Sequence, residues 1–211
     1  VFADVGTDHA KLPIALAEAG RVSFAVASDI GEQPAAIAAA RIAERGLSDK
    51  IRVTVCDGLA PLEHFAPTDI AICGMGGETI VGILDAAAFI RDTRVQLILQ
   101  PMTDFSMLRT YLAASGFAVT EEDIVLSEGR MYQCLCAAYT GVPYTLTPIE
   151  AELGRLNIEK RTPLFLRYVH RRKAIVEKQI AGKRKAGADA AAELALLDGY
   201  NGILEGEYEI T

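Results

Sequence analysis

Five times along this chain a strand-like segment gives way to a helix-like one, and the pattern then ends in two strands with only four residues between them. Residues 1–5 read as a buried strand closed by Gly6, 11–19 as a helix, and 24–27 as a strand running out at Ser28-Asp29. An alanine-rich helix at 34–45 stops at Gly46, a residue suited to the left-handed turn that ends helices. Strands follow at 51–56 and 69–73, a helix at 78–89, a strand at 95–99, and a helix at 105–115 ended by Gly116. Such alternation builds a parallel sheet covered by helices on both faces, a doubly wound α/β fold. Residues 117–125 and 131–139 break the rhythm. The link between them, Ser127-Glu128-Gly129-Arg130, is too short for a crossover helix, so this last pair is expected as an antiparallel hairpin.

Past Gly141 the pattern changes. Residues 148–160 read as a short helix, and Pro163, well placed at a first helical turn, opens a long one reaching Lys185. Phe165, Tyr168 or Val169, Ile175 or Val176, and Ile180 recur at helical spacing, as do Ala190, Leu194, Leu197, Tyr200 and Leu204 beyond Gly187. Two amphipathic helices joined by a tight turn suggest an antiparallel helical hairpin. The expected division is therefore an α/β domain at 1–141 and a helical, coiled-coil-like domain at 142–211. A chain of 211 residues with 51% apolar content has room for both.

The net charge of −7 argues against a molecule coated in basic surface, but it hides a segregation. Between Gly141 and Gly187 stand eleven lysines and arginines against four glutamates, whereas 188–211 carries acids and no base. A basic helix on an acidic protein is either a solvated face or a surface for nucleic-acid phosphates. The cysteines, Cys56, Cys73, Cys134 and Cys136, show no CxxC spacing and no paired histidine, which fits free thiols in a reducing cytosol. No metal-ligand cluster, membrane span or signal peptide is visible, and a cytoplasmic location is expected. The chain opens inside a strand without a methionine, so an upstream segment is also expected.

In an open parallel sheet, ligands bind beyond the carboxyl ends of the strands. The informative residues gather there. The first strand runs out in Asp4-Val5-Gly6-Thr7-Asp8-His9, the second at Asp29, the third at Cys56-Asp57-Gly58-Leu59, and the fourth at Cys73-Gly74-Met75-Gly76-Gly77. A carboxylate after the second strand can accept from both hydroxyls of a ribose, and Gly58 leaves room beside Asp57 for an adenine ring. The pyrophosphate fingerprint GxGxxG is missing, because Thr7, Asp8 and His9 follow Gly6. An acid at that position repels a pyrophosphate and suits a cationic sulfonium and ammonium. Each acid taken alone also reads as a helix N-cap, and His9 as a helix-start residue bonded to backbone.

These stretches, with Ala27-Ser28-Asp29-Ile30-Gly31-Glu32, Leu97-Ile98-Leu99-Gln100-Pro101-Met102, Leu108-Arg109 and Glu128-Gly129-Arg130-Met131-Tyr132, resemble the bacterial tRNA (adenine-22-N1)-methyltransferase family. DxGxDHxxLP together with GMGG is far more specific than one glycine loop. The resemblance covers the whole α/β domain, and members also carry a C-terminal helical hairpin, though with a short helical lead before the first strand. It implies a Rossmann-like methyltransferase sheet and transfer of a methyl group from S-adenosylmethionine to N1 of an adenine in the tRNA D-arm, leaving S-adenosylhomocysteine. It also implies cofactor contacts from Asp4, Gly6, Asp8, His9, Asp29, Ile30, Asp57, Gly58, Gly74, Met75 and Gly76.

The chemistry is consistent with that picture. Methyl transfer is an in-line displacement in which positioning dominates. Enzymes acting on an exocyclic amine commonly follow the fourth strand with an Asn or Asp and two prolines, whereas this chain has Gly74-Met75-Gly76-Gly77. A ring nitrogen such as adenine N1 already offers an in-plane lone pair, and its cationic product calls for a nearby carboxylate. Asp8 is the first candidate for that role, with His9 orienting the methionine end or the base and Gln100 hydrogen-bonding the extruded base. Gly77, Pro101, Met102 and Arg109 complete the expected substrate side, and Arg167, Arg171 and Arg172 would lie on tRNA phosphates. His64 and His170 are assigned no role. Two alternatives stay open: a methyltransferase for a small molecule or protein, with the basic hairpin as a dimerisation element, and a cofactor-binding module without catalysis. A monomer or a weak homodimer suits the chain equally.

Overall fold

A single seven-stranded sheet realises the expected alternation in the computed structural model, which describes residues 1–205. Residues 206–211, the end of the expected helical domain, lie outside the described residues. The parallel strands are β1 (Phe2–Val5), β2 (Ala25–Asp29), β3 (Ile51–Val55), β4 (Asp69–Gly76) and β5 (Gln96–Thr103). Then β6 (Phe117–Ser127) and β7 (Arg130–Tyr139) form the antiparallel hairpin, and β7 inserts between β5 and β6 to give the order β3-β2-β1-β4-β5-β7-β6. Ser127 pairs with Arg130, so the loop itself is only Glu128-Gly129, both with positive φ (48° and 75°), as a two-residue hairpin turn demands.

Alternating strand residues feed two separate apolar layers, because successive side chains point to opposite faces. On one face Phe2, Ala25, Ala27 and Ala71 pack under α1 (Lys11–Glu18) and α2 (Glu32–Glu44), through Ile14, Ala17, Ala38 and Ile42. Alanines here let the two helices sit close. On the other face Val5, Ile70, Ile72, Leu97 and Leu99 meet Ile80 and Leu84 of α3 (Gly77–Asp85) and Leu108 and Leu112 of α4 (Phe105–Ala114). Each fully buried Ile or Leu contributes roughly 1.5–3 kcal/mol of transfer free energy, so both layers fasten the strands whose ends form the site.

Boundaries differ from expectation where the sheet runs on. β4 continues to Gly76 and β5 to Thr103, so Gly74–Gly76 and Gln100–Met102 belong to strand ends rather than to loops. Pro101 is tolerated because β7 pairs with β5 only over Gln96–Leu99, which leaves the later part of β5 an edge. The helix expected at 78–89 ends at Asp85, with a 3-10 turn at Ala88–Arg91, and a second 3-10 turn at Ala60–Phe65 fills the β3–β4 connection.

The C-terminal part holds α5 (Pro148–Leu153), α6 (Arg155–Lys160), α7 (Pro163–Lys185) and α8 (Ala191–Glu205). Thr147 and Glu150 form a reciprocal capping box at the start of α5, and the Thr162 hydroxyl accepts from Phe165 N–H at 3.2 Å ahead of Pro163. The single helix expected over 148–160 is two, broken at Gly154 with φ +89°. α7 and α8 form the expected hairpin, but it is no free-standing coiled coil. Phe165, Val169, Val176 and Ile180 bury against Tyr200, Ile203 and Leu204 and against Ile124 of β6 in one cluster. Among the described residues no helix is long and apolar enough to cross a membrane.

Candidate active site

Strand order reverses between β1 and β4, which have their crossovers on opposite sides of the sheet and so leave a crevice beyond their carboxyl ends. The β1 exit is built on a buried acid. Asp4 is 5% exposed and accepts from the Thr7 hydroxyl at 2.7 Å; burial pushes its carboxyl up to about 6, with the Thr7 bond opposing. Both Gly6 N–H and Thr7 N–H donate to the Ser28 carbonyl at 2.9 Å, pinning the loop to β2. Then Asp8, His9 and Ala10 turn through φ values of 31°, 68° and 54°, left-handed backbone in three consecutive non-glycine residues. Such conformations cost on the order of 1–3 kcal/mol each and persist only where the surroundings hold them, here through the fully buried Ala10.

That turn presents the two side chains expected to do chemistry. Asp8 is 72% exposed, its Oδ1 3.2 Å from His9 Nε2 and its Oδ2 3.8 Å from Lys11 Nζ. His9 Nδ1 is buried and has no hydrogen-bond partner among the described residues, a polar atom without its complement. Met75 occupies the place a side chain on residue 6 would take, so Gly6 and Met75 are packed as a pair.

The remaining acids stand where the sequence put them. Asp29 Oδ1 accepts from Gly31 N–H at 2.9 Å, its Oδ2 has no hydrogen-bond partner among the described residues, and Ile30 beside it is 70% exposed. Cys56 N–H donates to the Asp29 carbonyl at 3.0 Å, which ties the β3 exit to that of β2 and sets exposed Asp57 and Gly58 next to Asp29. Asp8, Asp29 and Asp57 thus stand at or just past the carboxyl ends of β1, β2 and β3, with buried Asp4 beneath the first of them. Cys73, below it, is pushed up to about 12 by burial and by the Asp4 carboxylate, so it stays a thiol at neutral pH.

Three expected substrate residues are committed to the scaffold instead. Gln100 Oε1 accepts from Gly74 N–H at 3.0 Å and its Nε2 donates to the Pro101 carbonyl at 2.9 Å, so the amide ties the bulged end of β4 to β5. Gly77 is buried, and a Cβ there would run into the Asp104 carbonyl; its smallness serves packing. Arg109 is 1% exposed. It donates to Glu122 Oε1 and Gln133 Oε1, both at 2.6 Å, and to the Ala151 and Glu152 carbonyls at 3.2 Å, joining α4, the β6–β7 hairpin and α5.

Pro101, Met102, Arg171 and Arg172 do come together, around a cavity of about 240 Å³ beside the β5 exit. Arg167 faces solvent on α7. Sequence reasoning gave no role to Arg130 and Tyr132, which also line this cavity. The available signal was their place directly after the two-residue turn.

Residues 1–135 match a family described as a methyltransferase domain. Over 149 residues the chain is 33% identical to the tRNA (adenine(22)-N(1))-methyltransferase of Bacillus subtilis (strain 168). That match covers 67% of this chain and 63% of the relative, so the chain spans less than two thirds of its length. Among solved structures, a Streptococcus pneumoniae protein in complex with S-adenosyl-L-methionine superposes with a TM-score of 0.84 at 28% identity, covering 97% of this chain and 92% of the other. The crystal structure of the B. subtilis m1A22 tRNA methyltransferase TrmK gives a TM-score of 0.78 at 26% identity over 99% and 90% of the two chains.

Proposed function

The chain belongs to the methyltransferase-domain family, and from that premise we propose that it transfers a methyl group from S-adenosylmethionine to N1 of adenine 22 in the D-arm of tRNA. The observation that carries this reading is a juxtaposition at one edge of the sheet. The acids at the carboxyl ends of β1, β2 and β3 share one edge of the sheet with an arginine-lined cavity at the β5 exit.

The crevice fits the cofactor by the chemistry of its donor set. The carboxylates of Asp8, Asp29 and Asp57 suit a ligand carrying a sulfonium and an ammonium. Asp29 would hold the ribose hydroxyls, and Asp57 the exocyclic amine of the cofactor adenine beside Gly58 and Ile30. Asp4 acts one layer below, through Thr7, by fixing the loop that carries Asp8 and His9. Gly74, Met75 and Gly76 line the opposite wall. When bound, S-adenosylmethionine supplies an electrophilic methyl carbon on a cationic sulfur.

Adenine N1 lies on the pairing edge of the base, so the target must leave its stack to reach the crevice. Gln100 holds Gly74 and the β4 end rigid, which makes it a positioning residue in this reading. As N1 gains a bond its ring gains positive charge, and the exposed Asp8 carboxylate stands at the crevice mouth to stabilise it. Residues 1–141 form the cofactor-binding body, and 142–211 present the basic helix to tRNA in the cytoplasm.

The test uses unmodified tRNA transcripts with adenine or guanine at position 22, incubated with S-adenosylmethionine and mapped by reverse-transcription stops. We expect a stop at adenine 22 alone, weakened at least tenfold by Asp8→Ala. Cofactor binding without any stop would overturn the substrate assignment.

A further inference from the structure

The Glu128-Gly129-Arg130-Met131-Tyr132 turn has no part in the reaction described above, yet it walls the cavity that α7 shares with the β5 exit. We propose that this cavity is a nucleotide subsite: it takes one unpaired nucleotide of the tRNA strand next to the extruded adenine, the phosphate on Arg130 and Arg171 and the base against Tyr132 and Phe105. The proposal rests on the reading of tRNA as substrate.

Charge comes first. Arg130, Arg171 and Arg172 all line the cavity, and no carboxylate residue does. Arg172 is held in place, paired with Glu152 and lying 5.7 Å over the Phe105 ring. Arg130 and Arg171 are exposed and have no ion-pair partner among the described residues. Two free guanidiniums at one opening are a ready fork for a phosphate. The ligand is therefore anionic, the opposite of what the acid-lined crevice takes.

Shape comes next. Phe105, Tyr132 and Tyr168 contribute flat rings, and bases stack on such rings whatever their sequence. The volume of about 240 Å³ lies below the ~300 Å³ at which complete ligand pockets usually begin, so the space suits one unit of a longer ligand. Continuity decides which ligand. At one end Pro101 and Met102 carry the cavity to the strand end where Gln100 holds Gly74. At the other, Arg171 belongs to a row with Arg167, Lys178 and Lys185, spaced four or seven residues apart on one exposed face of α7. That row spans about 27 Å at 1.5 Å per residue. A polyanion lying along α7 enters the crevice by way of this cavity.

The experiment measures tRNA binding by fluorescence anisotropy between 50 and 200 mM salt, beside methyl transfer and S-adenosylmethionine titration. Arg130→Gln and Arg171→Gln are each expected to weaken tRNA binding about tenfold and to lower the salt slope by about one. Tyr132→Ala should weaken binding comparably with the slope unchanged, whereas Tyr132→Phe keeps it. Cofactor affinity should not move in any of them. Arg94→Gln, which removes a positive charge at the opposite end of β5, should leave every readout as it was. Variants Arg130→Gln, Arg171→Gln and Tyr132→Ala that bind tRNA like the parent would overturn the subsite. If the parent binds tRNA and methylates nothing, the reaction assigned above falls, while the same comparison of binding still decides the cavity. A parent that binds no tRNA overturns both.

Discussion

At the scale of single residues the site depends on one buried acid. Asp4 has its carboxyl raised from 3.8 to about 6 by burial, against the pull of the Thr7 hydroxyl. Because the folded state holds this proton more tightly than the unfolded chain, stability falls as pH rises from about 4 to about 6, and the loss persists above that. A shift of this size corresponds to on the order of 3 kcal/mol as an upper bound. Asp4→Asn keeps an oxygen for Thr7 and removes the charge. It should gain roughly 1–3 kcal/mol at pH 8 and almost nothing at pH 4. Urea denaturation at the two pH values checks this; an Asn variant less stable than the parent at pH 8 sinks it. The places of Asp4, Asp29 and Asp57 at or just past strand ends were legible because the apolar run marks where each strand stops. For Gln100, Gly77 and Arg109 the partners that hold them were not legible, because position along the chain does not tell whether a group is already satisfied by its neighbours.

At the scale of elements, the seam between the sheet and the C-terminal helices turns on Glu122 and Gly154. Glu122 Oε1 pairs with buried Arg109, its Oε2 accepts from Leu156 N–H at 3.0 Å, and its backbone carbonyl accepts from Lys160 Nζ at 2.8 Å. Gly154 lies against that carboxylate so closely that a Cβ would overlap it, and φ is +89° besides. Gly154→Ala should therefore push Glu122 off Arg109 and leave a buried guanidinium short of its partner, destabilising the chain by about 3 kcal/mol or more. Chemical denaturation measures this, and a loss below 1 kcal/mol would mean that the seam repacks freely. The order of elements was legible to within a few residues because hydrophobic period and turn residues report it directly. The break at Gly154 was not, since the carboxylate it makes room for is 32 residues earlier in the chain. The extensions of β4 and β5 were hidden likewise, as glycine and proline at strand ends read locally as loop.

Across the whole molecule, charge is divided between two jobs. A net charge of −7 repels RNA at long range, so any tRNA affinity must come from a local basic surface. Much of the basic content of the C-terminal part is already neutralised: Arg172 by Glu152, Arg155 by Glu150, Lys183 by Glu193. What remains on the outer face of α7 is the row of Arg167, Arg171, Lys178 and Lys185, opposite the side buried against α8 and β6. Each phosphate contact contributes about 0.7–0.9 to the slope of log affinity against log salt. Replacing Arg167, Lys178 and Lys185 together by glutamine should lower that slope by about 2–3 and weaken tRNA binding most at low salt. None of the three residues belongs to the set assigned to the cofactor, so S-adenosylmethionine affinity should stay constant in the same variant. A slope unchanged in the triple variant would show that α7 is a solvated face and that tRNA approaches from elsewhere. The helix would then serve α8 and the β6–β7 hairpin alone, and its row of uncompensated charge would need another explanation than RNA.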